Sequence, residues 1–270
     1  MAYLFDVQGG VHTYPFIYYG IILFNTNTFI IIRIIPKYSL NMPIINHQAV
    51  QLNWITPQQI TNPKTLVLGS FNPYNPIGLL DYYYGRSSNF LWRRIAVIMG
   101  FNELHFFDVN DGLNRKLQLM ANRFSCLDII NNIKFIGEDE NLINEYINSH
   151  VYTNFSDGKI FVSQANGVQL KRNYNTSIVE TLRNTTSINK VIHTMGNNRI
   201  SLNRITQPLE VNLGMNGFMG FMNSIYDICE ERNIEIVLQS LSPSAYAVRT
   251  RAVNLNDLDN WLTKHLNLNN

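Results

Sequence analysis

Two asparagines and a tyrosine lie on an unusually long polar loop of this chain. The stretch from Leu66 to Trp92 reads LVLGSFNPYNPIGLLDYYYGRSSNFLW, where a short apolar run precedes many turn formers and aromatics. Loops longer than about 12–15 residues are usually functional or disordered, and the aromatics argue against disorder. The amides of Asn72 and Asn89 carry no charge and suit positioning water or holding a polar group. Tyr84 offers a flat ring for stacking.

A second loop with unusual chemistry follows the last predicted strand. It runs from Val237 to Arg251 and reads VLQSLSPSAYAVRTR. Small Ser and Pro residues leave backbone amides exposed and let a phosphodiester approach closely. Arg249 places a positive charge shortly after the Ser-Pro segment, as does the last residue of the loop. This pattern is suited to holding a phosphate backbone.

Composition excludes several classes of protein. The 270 residues are 46% hydrophobic and 12% aromatic, which supports a sizeable core, and the formal charge of +2 does not by itself indicate nucleic acid binding. The two cysteines, Cys126 and Cys229, are too few for an iron–sulfur cluster or a Cys-rich zinc site, and the six histidines are scattered. We therefore expect no metal and a reducing, cytoplasmic compartment.

The loops must be positioned by an alternating pattern of strands and helices. The predicted strands are Thr65–Gly69, Lys159–Ser163, Lys190–Met195 and Glu235–Leu238. The predicted helices are Asn89–Met99 (closed by Gly100), Glu138–Asn148, one opening at Ser177, Gly217–Glu231 and Asn256–Leu266, with Asn256 as N-cap. Short apolar strands between helices predict a three-layer α/β/α sandwich with a short, mostly parallel sheet of about four core strands. The loops after Gly69, Gly196 and Leu238 would then share one rim.

Residues 1–41 differ from the rest of the chain. Their apolar run, FIYYGIILFNTNTFIIIRII, is interrupted at Asn25–Thr28 and at Arg33, so each part falls short of the roughly 20 residues that a bilayer requires. We predict a β-hairpin turning at Asn25–Thr28, with no membrane span and no signal peptide. The domain prediction is an N-terminal extension of unknown role, 1–41, and one domain, 42–270.

The two loops resemble those of the uracil-DNA glycosylase superfamily, over most of residues 62–266. Asn72-Pro73 falls on the Asn-Pro of the mismatch-specific branch, and Tyr84 on the aromatic residue that stacks against the flipped base. Asn89 and Trp92 fall on the later Asn and Trp of that branch's His-Pro-x-Asn-x-Phe-Trp motif. LVLGSF, YYYGRSSNFLW and LQSLSPSAYA also resemble the hypoxanthine-DNA glycosylase branch, where the later asparagine is the catalytic candidate.

The resemblance implies a monofunctional DNA glycosylase that flips a base out of DNA and hydrolyses its N-glycosidic bond, leaving an abasic site. It would act as a cytoplasmic monomer without a cofactor. Tyr84 would flank the pocket beside Asn72, with its ring unpacked until a base enters. The implied residues are Asn72 and Asn89 for catalysis, Phe71, Tyr74, Tyr84 and Ser88 for the substrate, and Ser70, Ser240, Ser242, Pro243, Arg249 and Arg251 for DNA.

Departures from the motifs leave the substrate open. Arg86-Ser87 replaces His-Pro, and the histidine that stabilises a uracil anion in the most efficient branch is missing, which predicts slow turnover. One hypothesis is repair of a deaminated base, uracil or hypoxanthine. Another is excision of a hypermodified phage base, such as glucosylated hydroxymethylcytosine, because Asn75 and Ser88 add polar side chains that could bond a sugar. A third is an inactive DNA-binding module, which the retention of both asparagines disfavours.

Four other residues receive more ordinary interpretations. Asp128, in CLDII, is interpreted as a structural residue that fixes the first loop. His193 ends an apolar strand and is expected to be a hydrogen-bonded core histidine. Arg93 and Arg94 open the helix after the first loop and are candidates for phosphate contacts.

Overall fold

The computed structural model describes residues 43–137, 139–149, 155, 164–165, 168–196 and 216–268. All of them belong to one compact unit, Pro43–Asn270. The hairpin predicted within residues 1–41 and the strand predicted at Lys159–Ser163 lie outside the described residues. No helix within the described ranges combines the length and apolar character needed to cross a membrane.

The described residues form strands and helices in mixed order. The strands are β1 Ile44–Asn46, β2 Thr65–Gly69, β3 Phe124–Asp128, β4 Ile130–Ile136, β5 Gln164–Ala165, β6 Val168–Tyr174, β7 Lys190–His193 and β8 Glu235–Ile236. The helices are α1 Gln48–Leu52, α2 Phe90–Ile98, α3 Gly112–Met120, α4 Glu140–Ser149, α5 Ser177–Asn184, α6 Asn216–Glu231, α7 Ala245–Arg249 and α8 Leu255–Leu266. Short 3-10 turns cover Pro57–Gln59 and His105–Phe107.

A four-stranded parallel sheet in the order β3-β2-β7-β8 forms the centre of the fold. All five residues of β2 are buried, as expected for a parallel strand covered on both faces. Helices flank this sheet, with α2 packed on α8 and α5 packed on α6. The α/β sandwich with a short parallel sheet, predicted from the alternation of elements, is confirmed.

A second, antiparallel sheet in the order β1-β4-β6-β5 was not predicted. Only Ile129 separates β3 from β4, so two directly adjoining segments supply strands of two different sheets. In β6, buried and exposed residues alternate, the pattern of a sheet with one covered face. Nothing local in the sequence marks the point at which the chain passes from one sheet to the other.

The cap positions and surface arginines refine the predicted helices. Asn254, not Asn256, caps α8, with its side-chain oxygen accepting from the Asn256 amide. Arg94 donates from Nε and Nη2 to the two Asp259 oxygens, at 2.7 and 2.6 Å, joining α2 to α8. Arg93 pairs with Glu103. Both arginines therefore have acidic partners in the fold, and their phosphate contacts stay a prediction.

The long loop between β2 and α2 is anchored in the core. Tyr82 and Tyr83 are buried, and the Trp92 indole donates to the Tyr83 carbonyl at 2.8 Å. Lys116 of α3 is buried and pairs with Asp81 of the loop. This packing holds the end of the loop against the sheet, which is the requirement for placing a functional side chain accurately.

Candidate active site

Two of the loops singled out in the sequence meet in one cavity at the carboxyl ends of the parallel strands. Its volume is about 150 Å³. A cavity of roughly this size accommodates benzene in another protein, so a six-membered ring is a suitable occupant. The lining residues are Gly69, Ser70, Phe71, Asn72, Tyr84, Arg86, Asn89, Asp128, Thr194, Met195, Ser242, Pro243 and Ser244.

Hydrogen bonds tie the loops after β2, β7 and β8 together. The Phe90 amide, at the start of α2, donates to the Pro243 carbonyl at 2.7 Å. Ser240 Oγ donates to the His193 carbonyl at 2.7 Å and accepts from the Gly196 amide at 3.0 Å. The three loops therefore share one rim, as the strand order predicted.

Asn72 belongs to a buried network centred on Asp128. Asp128 Oδ2 accepts from Asn72 Nδ2 at 2.8 Å and from His47 Nε2 at 2.7 Å. The Ala49 amide donates to His47 Nδ1 at 2.9 Å, so the hydrogen-bond pattern assigns a neutral His47 with its proton on Nε2. Asp128 thus fixes the first loop, as interpreted from the sequence, and it also lines the cavity.

The hydrogen bond to Asp128 determines which atom of the Asn72 side-chain amide is left to bind another group. Because Asn72 Nδ2 is directed at Asp128, its Oδ1 is the amide atom left to accept a hydrogen bond from water or substrate. Asn72 Oδ1 has no hydrogen-bond partner among the described residues. The side chain is therefore arranged to orient a water molecule. His47, separated from Asp128 by 81 positions, carried no local signal of this role.

Tyr84 stands beside Asn72 in the cavity wall, in a left-handed backbone conformation with φ +58°. Its hydroxyl hydrogen-bonds to Thr194 Oγ1 at 2.8 Å. The ring is partly buried against the core, so the expectation of an unpacked ring in the free protein is wrong. Gly69 lies below it, where a Cβ would come within 2.1 Å of Asp128 Oδ1 and 2.9 Å of the Tyr84 hydroxyl. Only glycine leaves room for both groups.

Asn89 serves as a helix cap and also faces the cavity. Its Oδ1 accepts from the Leu91 amide at 2.8 Å and so caps α2. Its Nδ2 has no partner within the described residues. The ordinary interpretation and the functional one therefore hold together, since one end of the amide caps the helix and the other can donate to a ligand.

The remaining predicted contact residues divide into two groups. Ser70, Phe71, Ser242 and Pro243 line the cavity, while Tyr74, Ser88, Ser240, Arg249 and Arg251 do not. Ser240 is buried, and its hydroxyl is engaged by β7 and its loop, so it positions the loop and is unsuited to contact phosphate. Ser88, Arg249 and Arg251 are exposed at the surface.

Several lining residues, Arg86 and Thr194 among them, and one exposed aromatic residue had no assigned role. Arg86 and Thr194 line the cavity, although Arg86 stood out in the sequence only as a departure from the motif. Tyr246 in α7 is 79% exposed, two residues beyond the lining residue Ser244. The available signal in the sequence was an aromatic residue shortly after the Ser-Pro segment.

The buried titratable groups near the sheet are held in their neutral forms. Burial lowers the pKa of His193 to about 4, and neither ring nitrogen has a partner in the described part of the chain. His193 is therefore a core residue, as expected, but not a hydrogen-bonded one. Burial raises the pKa of Tyr83, and the charges of Asp128 and Cys126 raise it further. Burial and then the charge of Asp128 raise the pKa of Cys126. Within the described ranges, no three His, Cys, Asp or Glu side chains are grouped to hold a metal.

The chain matches no protein-family model, no curated protein and no solved structure at the significance threshold.

Proposed function

We propose that this protein is a monofunctional DNA glycosylase of the uracil-DNA glycosylase type. It would extrude a modified base from DNA and hydrolyse the N-glycosidic bond as a cytoplasmic monomer without a cofactor. The observation that carries the proposal is the single cavity that joins Asn72, Tyr84 and Asn89 of the first loop to Ser242 and Pro243 of the second. These are the residues on which the sequence resemblance rests.

Two polar residues of the cavity, Asn72 and Asp128, have different roles in the proposed hydrolysis. Asn72 Oδ1 accepts a hydrogen bond from water and directs the water oxygen toward the anomeric carbon. As the carbon–oxygen bond forms, the carbon–nitrogen bond breaks and the base departs with the bonding electrons. The attacking water releases one proton to solvent, and the departing base takes one proton up from solvent. The Asp128 carboxylate holds the Asn72 amide in place. Without a carboxylate acting directly on the water, slow turnover follows.

Base capture depends on the aromatic wall. Extruding a base from a duplex costs a few kcal/mol. Stacking on Tyr84 would offset roughly 1–3 kcal/mol of this. The ring is already held by its packing and by Thr194, so little side-chain entropy is lost when a base arrives.

Contact with the DNA backbone falls to the second loop and α7. Ser242 and Ser244 are partly exposed at the cavity edge, and Arg249 is exposed on the short helix that follows. Hydroxyls and arginines are common partners of phosphate oxygens. The near-neutral net charge is compatible with a footprint of only a few phosphates.

The test is a single-turnover strand-cleavage assay on purified protein. Labelled duplexes, each with one uracil, hypoxanthine or modified cytosine, are incubated with excess enzyme and then treated with alkali to cut abasic sites. Cleavage that depends on alkali is expected for at least one base, and Asn72→Ala should remove most of it. If the protein binds DNA tightly but releases none of the tested bases, the inactive DNA-binding module is favoured instead.

A further inference from the structure

We propose that Asp128 selects a target base that carries an exocyclic amino group, a pyrimidine of the cytosine class, over its deaminated counterpart. This inference rests on the proposed glycosylase function and names the substrate class of that site. It disfavours uracil and hypoxanthine, in which a carbonyl oxygen replaces the amino group. It favours modified cytosines among the candidates.

The two carboxylate oxygens of Asp128 have different surroundings. Oδ2 accepts hydrogen bonds from both His47 Nε2 and Asn72 Nδ2. Oδ1 lies over Gly69, close enough that a Cβ there would be 2.1 Å away. It has no hydrogen-bond partner among the described residues, although the side chain is only 3% exposed and lines the cavity. A buried anionic oxygen is thus available for a donor that enters the cavity.

An ionised carboxylate can only accept hydrogen bonds. The N4 amino group of cytosine is a donor that carboxylates read in DNA, whereas the corresponding oxygen of uracil is an acceptor. Placing that oxygen against Asp128 Oδ1 would leave both acceptors unpaired in a buried site, which is unfavourable. A donor for a remaining ring acceptor of cytosine is present, since Asn89 Nδ2 belongs to the same cavity.

The Asp128→Asn variant changes this preference through the same network. The two donors, His47 and Asn72, would hold the amide oxygen of the new side chain in the Oδ2 position. The amide nitrogen would then occupy the Oδ1 position and donate into the cavity. A donor in that position matches a carbonyl oxygen, so the variant should accept the deaminated base.

The experiment compares matched pairs of bases that differ only by an amino or a carbonyl group. Full-length protein is assayed in single turnover on duplexes with cytosine or uracil, and with 5-hydroxymethylcytosine or 5-hydroxymethyluracil. A glucosylated 5-hydroxymethylcytosine duplex extends the series. The wild-type protein should cleave the amino member of at least one pair roughly tenfold faster or more, the scale of one base-edge contact. Asp128→Asn should reverse the order in that pair.

Each outcome separates the inference from the function on which it rests. Wild-type cleavage that is faster on the carbonyl members would overturn the inference and leave the glycosylase function standing. If Asp128→Asn lowers the cleavage rate equally on both members of a pair, Asp128 is only a positioning residue. That outcome would also overturn the inference. If the protein cleaves none of these duplexes and also fails on the hypoxanthine duplex of the preceding assay, the glycosylase function itself is rejected. The wild-type comparison remains decisive even if the variant does not fold.

Discussion

At the scale of single residues, the orientation of the Asn72 amide determines its chemistry. With Nδ2 bound to Asp128, Oδ1 is directed to accept from water. We expect Asn72→Ala to lower the single-turnover rate by roughly 10²-fold or more, the scale of a lost catalytic positioning group. Affinity for the DNA product should change little, because the proposed function assigns the phosphate contacts to Ser242 and the second loop.

A matched control is Asn114→Ala, which removes an exposed asparagine from α3, outside the cavity lining. It should leave the rate unchanged. A carboxylate at position 72 could orient water by itself, but it would face the Asp128 carboxylate. We therefore expect Asn72→Asp to be slower than wild type and to regain rate at lower pH, where a proton is shared. If Asn72→Ala cleaves normally while Asn89→Ala is inactive, the roles of the two asparagines must be exchanged.

The ring of Tyr84 and its hydroxyl should contribute separately. Tyr84→Phe keeps the stacking surface and loses the hydrogen bond to Thr194, so it should retain base capture at a cost to unfolding free energy of about 1 kcal/mol. Tyr84→Ala should both weaken capture and destabilise the fold, because the ring is packed. Substrate titration of the single-turnover rate and urea unfolding measure the two effects. Equal substrate affinity of the Ala variant and wild type would exclude stacking.

At the scale of elements, the helix α2 is capped by Asn89, which also lines the cavity. We expect Asn89→Ala to lower the free energy of unfolding by about 1 kcal/mol through loss of the cap. Asn89→Asp keeps an oxygen for the Leu91 amide but removes the amide donor from the cavity. It should therefore restore stability without restoring base preference.

This pair of variants separates capping from ligand contact. Urea unfolding reports the cap, and single-turnover rates on matched bases report the contact. If Asn89→Asp restores both stability and activity, the Nδ2 group takes no part in binding. Capping would then be the whole role of Asn89.

At the scale of the whole molecule, His193 should make stability depend on pH. Its pKa is lowered to about 4 in the fold because burial disfavours the charged ring. An unfolded histidine titrates near about pH 6.5. The stability of the neutral form is thus fully present above about pH 6.5 and is lost as the pH falls toward 4. The loss approaches about 3 kcal/mol at the acidic end.

The measurement is urea unfolding at about pH 7.5 and about pH 4.5 for wild type and His193→Leu, whose side chain cannot be protonated. The variant should lose less stability on acidification than wild type. Burial also lowers the pKa of His265, with Lys190 and Lys264 contributing, so part of the dependence should remain. His105→Gln, at a partly exposed ring stacked on Phe101, is the control. An identical acid dependence in wild type and His193→Leu would exclude the buried histidine as its source.

The sequence by itself determined three strands of the parallel sheet, β2, β7 and β8, and the loops of interest, whereas β3 was not predicted. The bounds predicted for Thr65–Gly69 were confirmed without change, because a buried parallel strand is a short continuous apolar run between turn formers. The Asn72 and Ser242 loops could be placed on one rim, since the carboxyl ends of parallel strands lie on the same side of a sheet.

Only the tertiary structure decided how those loops are completed. The division of CLDII between two sheets, and the meeting of His47 and Asp128 across 81 positions, depend on long-range pairing that local patterns do not encode. The burial of Ser240 and the packing of the Tyr84 ring likewise follow from neighbours distant in sequence. Local sequence fixes which residue types a loop offers, whereas hydrogen-bond partners in three dimensions fix which atom of each residue faces the cavity.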